Sequence, residues 1–160
     1  MSDSEPGISF AELFAYTDSL AARWINYFRQ HPAALDIDVG GKTGTVRNLL
    51  KHIFEVEHFF SGHLLGEQYV HRDVTSPAPD DLMLEHQEAY GRLQRYLAST
   101  NKDELQRKHT VGPVTVSGRK LLAQAAVHSI HHWAQVAMEI RQAGFPTELP
   151  QDIIISNVME

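Results

Sequence analysis

His128 and His132 stand four residues apart in Val127-His128-Ser129-Ile130-His131-His132-Trp133-Ala134-Gln135. In a helix, side chains at that spacing rise from adjacent turns of one face, so two imidazoles can address the same divalent cation. A protein metal site rarely rests on two ligands, and the best third is His52, in Asn48-Leu49-Leu50-Lys51-His52-Ile53-Phe54-Glu55-Val56-Glu57. Three imidazoles contribute no ligand charge, so the ion keeps its full positive charge. It can then lower the pKa of a water or thiol in an open position. The chemistry indicated is activation of a nucleophile for attack on a small electrophilic substrate.

Each of these histidines also has a plainer reading, as a core-edge residue satisfied by a carbonyl or a carboxylate. Three inward imidazoles on two helices need more partners than a small bundle readily supplies, and one buried ion satisfies them together. With about 100° of rotation per residue, His128 and His132 share a sector with Leu121, Ala125, Val136 and Glu139, whereas His131 turns towards Val127, Ala134 and Met138. His52 lies at the edge of an apolar stripe, beside Leu49, Val56 and Phe59, and His58 points elsewhere. His63 shares the side of His52 but is about 16 Å further along the axis at about 1.5 Å per residue, too far for the same ion. His86 falls on a core stripe of its own and remains open as a replacement for His52. Glu55 and Glu57 are candidate outer partners of the ligands. Of the ten histidines, His31, His71 and His109 fall in ends or loops, and most of the ten read as solvated.

Four helical blocks, separated by proline and glycine, must position these groups. The first covers about 9–30, with Phe10, Leu13, Phe14, Thr17, Leu20, Ala21, Trp24 and Phe28 at helical spacing, and stops before Pro32. After a turn-rich stretch at 35–44, the second covers about 45–66 with the stripe Leu49, Ile53, Val56, Phe60 and Leu64. A loop follows to Pro79. Asp80 or Asp81 then caps a third helix, about 80–99, with the stripe Leu82, His86, Ala89, Tyr90, Leu93 and Leu97. Residues 109–116, β-branched around Gly112-Pro113, suggest a short extended or hairpin-like link. Ser117 then caps the last helix, about 117–143, which closes at Gly144 and Pro146.

The expected fold is all-α, a four-helix bundle forming a single domain over 1–160, with an extended C-terminal tail. In that tail, Ile153-Ile154-Ile155 is placed to pack on the bundle or on another subunit. The last helix is apolar on its far side too, at Val127, Ile130, Ala134, Ala137 and Met138, which calls for cover by a helix or a second copy.

Composition excludes several classes. Cysteine is absent, so thiolate ligands, disulfides and a cysteine nucleophile are ruled out. A net charge of -6 with dispersed basic residues argues against nucleic acid. The lack of a leader pattern or a membrane-spanning apolar run leads to the expectation of a cytoplasmic protein with no membrane association. A carboxylate-bridged di-iron centre needs two Glu-x-x-His pairs, and only Glu55-Val56-Glu57-His58 fits. Zinc-protease, phosphate-loop and nucleophile-elbow motifs are missing. Trp24, Phe59, Phe60 and Trp133 read as core aromatics more readily than as a pocket.

The chain resembles the DinB/YfiT-like superfamily of bacterial four-helix-bundle metalloproteins. The resemblance rests on Leu49-Leu50-Lys51-His52-Ile53 with Glu57 and Leu64-Leu65-Gly66-Glu67. More specifically, it rests on His128-Ser129-Ile130-His131-His132-Trp133-Ala134-Gln135 followed by Ile140-Arg141-Gln142-Ala143-Gly144. It covers nearly the whole chain and implies that His52, His128 and His132 are the metal ligands. It also implies a nickel, zinc, iron or manganese ion with water in the open positions, and a homodimer. In some members the activity is thiol transfer or isomerisation with a low-molecular-weight thiol such as bacillithiol or mycothiol. It implies nothing about DNA chemistry. Two functions follow as expectations. One is a metal-dependent enzyme, a thiol transferase or hydrolase acting on a small molecule at the bundle mouth near 35–44 and 66–79. The other is a non-catalytic dimeric binding or stress-response module with a structural ion or none.

Overall fold

The computed structural model describes residues 7–68, 75–147, 149 and 151–158. Its frame is four long helices, α1 (Phe10–Gln30), α2 (Val46–Leu65), α3 (Pro79–Ser99) and α5 (Gly118–Gln142), with a short α4 (Lys102–Gln106) before the last. The all-α bundle expected from the periodicity is the observed architecture, and α4 is the helix that periodicity missed, being too short to show a stripe.

Capping residues fix the starts. Ser9 accepts from the Glu12 amide while the Glu12 carboxylate accepts from the Ser9 amide, a reciprocal capping box at α1. Thr45 caps α2 through the Asn48 amide, and Ser117 caps α5 through the Lys120 amide. The start of α3 differs from the expectation. Pro79 takes the first helical position, where its fixed φ fits and its missing N–H is not needed. Asp81 does not precede the helix but reaches back from its first turn to accept the Ala78 amide at 2.9 Å.

α2 stops at Gly66, left-handed with φ 68°, and the Glu67 amide returns to the Gly62 carbonyl at 2.9 Å. This return leaves no space at Gly62, where a Cβ would sit 2.6 Å from the Glu67 carbonyl oxygen. Gly62→Ala should therefore lower stability by about 1–3 kcal/mol through overpacking. The check is a lower urea midpoint at unchanged slope.

Two connections carry more order than expected. The stretch at 35–44 belongs to a 3-10 turn (Pro32–Asp36) followed by a minimal antiparallel ladder, β1 (Asp38–Gly40) and β2 (Gly44–Thr45). The link before α5 is a true hairpin, β3 (Lys108–Val111) against β4 (Val114–Ser117), with Gly112 at φ 57° in its turn. The loop expected to run to Pro79 is described only at its two ends, and residues 69–74, with His71, lie outside the described residues.

α1 packs on α3 and α5, and α2 packs on the same two helices, so α1 and α2 occupy one diagonal of the bundle and α3 and α5 the other. Each side of α2 therefore meets a different neighbour. One end of the core holds Trp24, Ile25, Phe28, Leu49, Ile53, Phe54 and Trp133; the other holds Phe14, Leu93, Tyr96, Leu121 and Leu122. Trp24 and Trp133 are fully buried and nearly parallel, with ring centroids 6.5 Å apart, and Phe60 is also buried, so these aromatics are core as expected.

The tail is not simply extended. Ile153–Ile155 form a 3-10 turn in which Ile153 and Ile154 are exposed. Leu149 and Val158 pack on the core instead. Gln151 pins the segment, its side chain donating to the Trp133 carbonyl and its own carbonyl accepting from the Tyr16 hydroxyl. On the far side of α5, Ala137 is buried and Ile130 packs on the core, whereas Val127 (62% exposed), Ala134 and Met138 (45% exposed) form an open strip. No helix among the described residues is long and apolar enough to cross a membrane.

Candidate metal centre

His52 from α2 meets His128 and His132 from α5, and one ring nitrogen from each lies within 4.8 Å of the other two. The Nε2 atoms of His52 and His128 are 3.2 Å apart. Two nitrogen ligands of a tetrahedral ion, each at about 2.1 Å, are about 3.4 Å apart, so this separation is close to that of a shared ion. The rings meet edge to face, with centroids 5.0 Å apart for His52 and His128, 5.1 Å for His52 and His132, and 4.4 Å for His128 and His132.

The electrostatics keep the two α5 rings neutral. Burial comes first in pushing His128 down to about 4, followed by the charges that His132, His52 and His131 would carry. His132 is also lowered, again chiefly by burial. Neutral imidazoles are the form that ligates a cation. Nδ1 of His128 is buried and has no hydrogen-bond partner among the described residues.

Gln135, one turn after His132, adds an orienting bond. Its side-chain oxygen lies 3.0 Å from His132 Nδ1 and accepts that N–H. This fixes the tautomer, leaving the Nε2 lone pair of His132 available. The expected stretch already contained Gln135, and its three-residue spacing from His132 was the signal for this contact.

The other expected site residues fall elsewhere. His86 is not a substitute for His52. It is buried between Glu57, whose Oε2 is 2.8 Å from Nδ1, and Asp18, whose Oδ1 is 3.0 Å from Nε2. Both ring nitrogens face carboxylates, so both donate and the ring is an imidazolium. Burial opposes that charge, but the Glu57 carboxylate and the bonds to Asp18 and Glu57 outweigh it and raise His86 to about 9. Glu57 also accepts from the Ser129 hydroxyl at 2.9 Å, so it is committed to this network and not to the three histidines. Asp18, which carried no signal in the sequence, completes a chain with one member on each long helix.

Glu55 lines a groove of about 470 Å³ together with His52, Val56, Phe59 and His63, and lies 3.8 Å from Lys51. His63 stays out of the three-histidine cluster, its Nδ1 3.0 Å from the Phe59 carbonyl. Phe59 is exposed on this groove. His131 is exposed beside His132. His58 lies outside the three-histidine cluster, buried against α3.

The family model described as "DinB family" matches residues 1–152. No curated protein matches the chain. A solved DinB-like protein from Bacillus subtilis is similar at 22% identity and a TM-score of 0.61, covering 88% of this chain and 92% of its own. A second, from Bacillus cereus ATCC 10987, is similar at 14% identity and a TM-score of 0.68, covering 88% and 95%. These two share the fold.

Proposed function

Because the chain belongs to the DinB family, we propose that it is a metal-dependent enzyme activating a water or a low-molecular-weight thiol, with His52, His128 and His132 as ligands of one divalent ion. The observation carrying this reading is the convergence of the three imidazoles beside an open groove, with His52 itself exposed to solvent. A purely structural site is normally closed by a fourth side chain. Nickel, zinc, iron and manganese all suit the donor set. When bound, the ion supplies Lewis acidity that lowers the pKa of a water or thiol beside it.

The remaining work falls to the chain. Gln135 holds His132 in the ligating tautomer, and Val56 and Phe59 give the groove an apolar wall for a small-molecule substrate. The open strip of Val127, Ala134 and Met138 supports a homodimer, and the protein would work in the cytoplasm. Replacing Gln135 by alanine should weaken metal affinity by about 10–100-fold with the fold intact, because an outer partner of a ligating histidine is lost. Competition with a chromophoric chelator measures this.

The activity itself is tested by loading the chain with Co2+ and adding a low-molecular-weight thiol. A thiolate-to-cobalt charge-transfer band, or exchange of a coordinated water detected by relaxation, is expected. A loaded protein that shows neither has a closed structural ion, and the catalytic reading fails.

A further inference from the structure

The hydrogen-bonded chain through His86 ends one residue from the candidate metal centre. Glu57 of α2 accepts from the Ser129 hydroxyl of α5 at 2.9 Å, and Ser129 stands immediately after His128 and three residues before His132. The bond therefore joins the same two helices that bring His52 to its partners. Glu57, Ser129 and His86 are 4%, 2% and 1% exposed, so the bond is sealed from water.

A carboxylate acceptor strengthens such a bond, and this acceptor is itself held. The other Glu57 oxygen lies 2.8 Å from His86 Nδ1, and the opposite nitrogen of that ring lies 3.0 Å from Asp18 of α1. Tyr90 stacks on the same imidazole with ring centroids 5.9 Å apart. Glu57 is thus anchored from α3 and α1 before it meets α5. Losing the Ser129 hydroxyl would strip a buried carboxylate oxygen of its donor, which is costly.

Apolar packing does less to fix α5 at this level. The turn before Ser129 buries Ala125 and Ala126, whose single methyl groups interlock weakly with a neighbouring helix. A ring nitrogen stands several ångströms from the axis of its helix, so a small rotation of α5 displaces both of its imidazoles relative to His52. Ligands must be placed within about 0.5 Å to hold an ion in one geometry.

We infer that Glu57 and Ser129 are positioning residues for the metal centre. Their bond, anchored through His86, sets the rotation of α5 so that His128 and His132 face His52. Neither residue is a ligand, and each acts through the helix that carries the ligands. The role rests on the three histidines holding one ion, as proposed for the function.

The test loads the full chain with Co2+, whose visible absorption reports coordination geometry, and measures affinity by competition with a chromophoric chelator. Ser129→Ala, confirmed folded by circular dichroism, should bind Co2+ about tenfold more weakly, the lower end of what an orienting group contributes, with an altered absorption band. Leu93→Ala, at the other end of the core, also loosens the bundle but should keep the affinity and band of the parent. Parent-like values in Ser129→Ala, or equal changes in both variants, overturn the positioning role. If Ser129→Ala does not fold, Ser129→Thr and Ser129→Val decide, because they share a shape and differ in the hydroxyl. The threonine variant should then bind Co2+ more tightly by about fivefold, the weight of one hydrogen bond, and equal affinity overturns the role. An unmodified chain that binds no Co2+ fails the proposed function itself, whereas binding that Ser129→Ala leaves unchanged fails the positioning role alone.

Discussion

Replacing His128 by alanine is expected to release the metal, with at least a 100-fold loss of affinity, more than the loss of an outer partner produces. His128 supplies the nitrogen nearest to His52, at 3.2 Å, and its removal leaves two ligands on separate helices. Elemental analysis of untagged protein purified without chelators checks this, with His132→Ala as the parallel case. Near-stoichiometric metal in the unmodified chain and none in either variant is the expected result. Full retention by both variants would mean that the ligand set is wrong.

The same substitution has a second readout. The folded state holds His128 at about 4, below the usual histidine value of about 6.5. Below pH 6.5 the unfolded chain therefore takes up a proton that the folded chain refuses, and stability is lost as pH falls towards 4. Metal-free His128→Ala should thus be less acid-sensitive between pH 6.5 and 4 than the metal-free parent, as followed by urea midpoints.

The second large effect is expected at His86. The ring is buried between two carboxylates, and Glu57 is itself buried. His86→Ala removes the cation and leaves Glu57 charged in the interior, a change that costs about 3–5 kcal/mol when one partner of a buried pair is lost. The pH dependence has the opposite sign to that of His128. The folded pKa is raised to about 9, so the stabilisation is fully present below 6.5 and disappears as pH rises through 9. The span corresponds to about 3 kcal/mol. Chemical unfolding at pH 6, 8 and 10 should show the parent converging on a folded His86→Gln variant with rising pH. A constant gap between the two would show that the imidazolium is not what stabilises the network.

The helices were legible because their stripes and stops are local: Ser9, Thr45 and Ser117 act as caps through hydrogen bonds within one turn. The pairing of His128 with His132 was legible for a related reason, since four-residue spacing fixes a shared face, whereas the choice between His52 and His86 as the third residue stayed open. What periodicity does not supply is the rotation of one helix against the next. His86 lay on a core stripe, yet its depth beside Asp18 and Glu57 depends on how α3 sits against α1 and α2. The depth of His58 was not legible because α2 packs on both α3 and α5, which widens its buried arc beyond one stripe. The two short ladders and α4 were missed or understated because elements of two to five residues carry too few side chains to show a period.

The stacked tryptophans have a spectroscopic consequence. They are the chain's only two indoles, one on α1 and one on α5, and both are sealed from water. Parallel rings with centroids 6.5 Å apart couple their electronic transitions, so the folded protein should show a split near-ultraviolet dichroism signal and blue emission from a single coupled pair. Because Gln151 bonds to the Trp133 carbonyl, that signal also registers whether the end of the chain is docked, which gives an optical readout of its seating without any label.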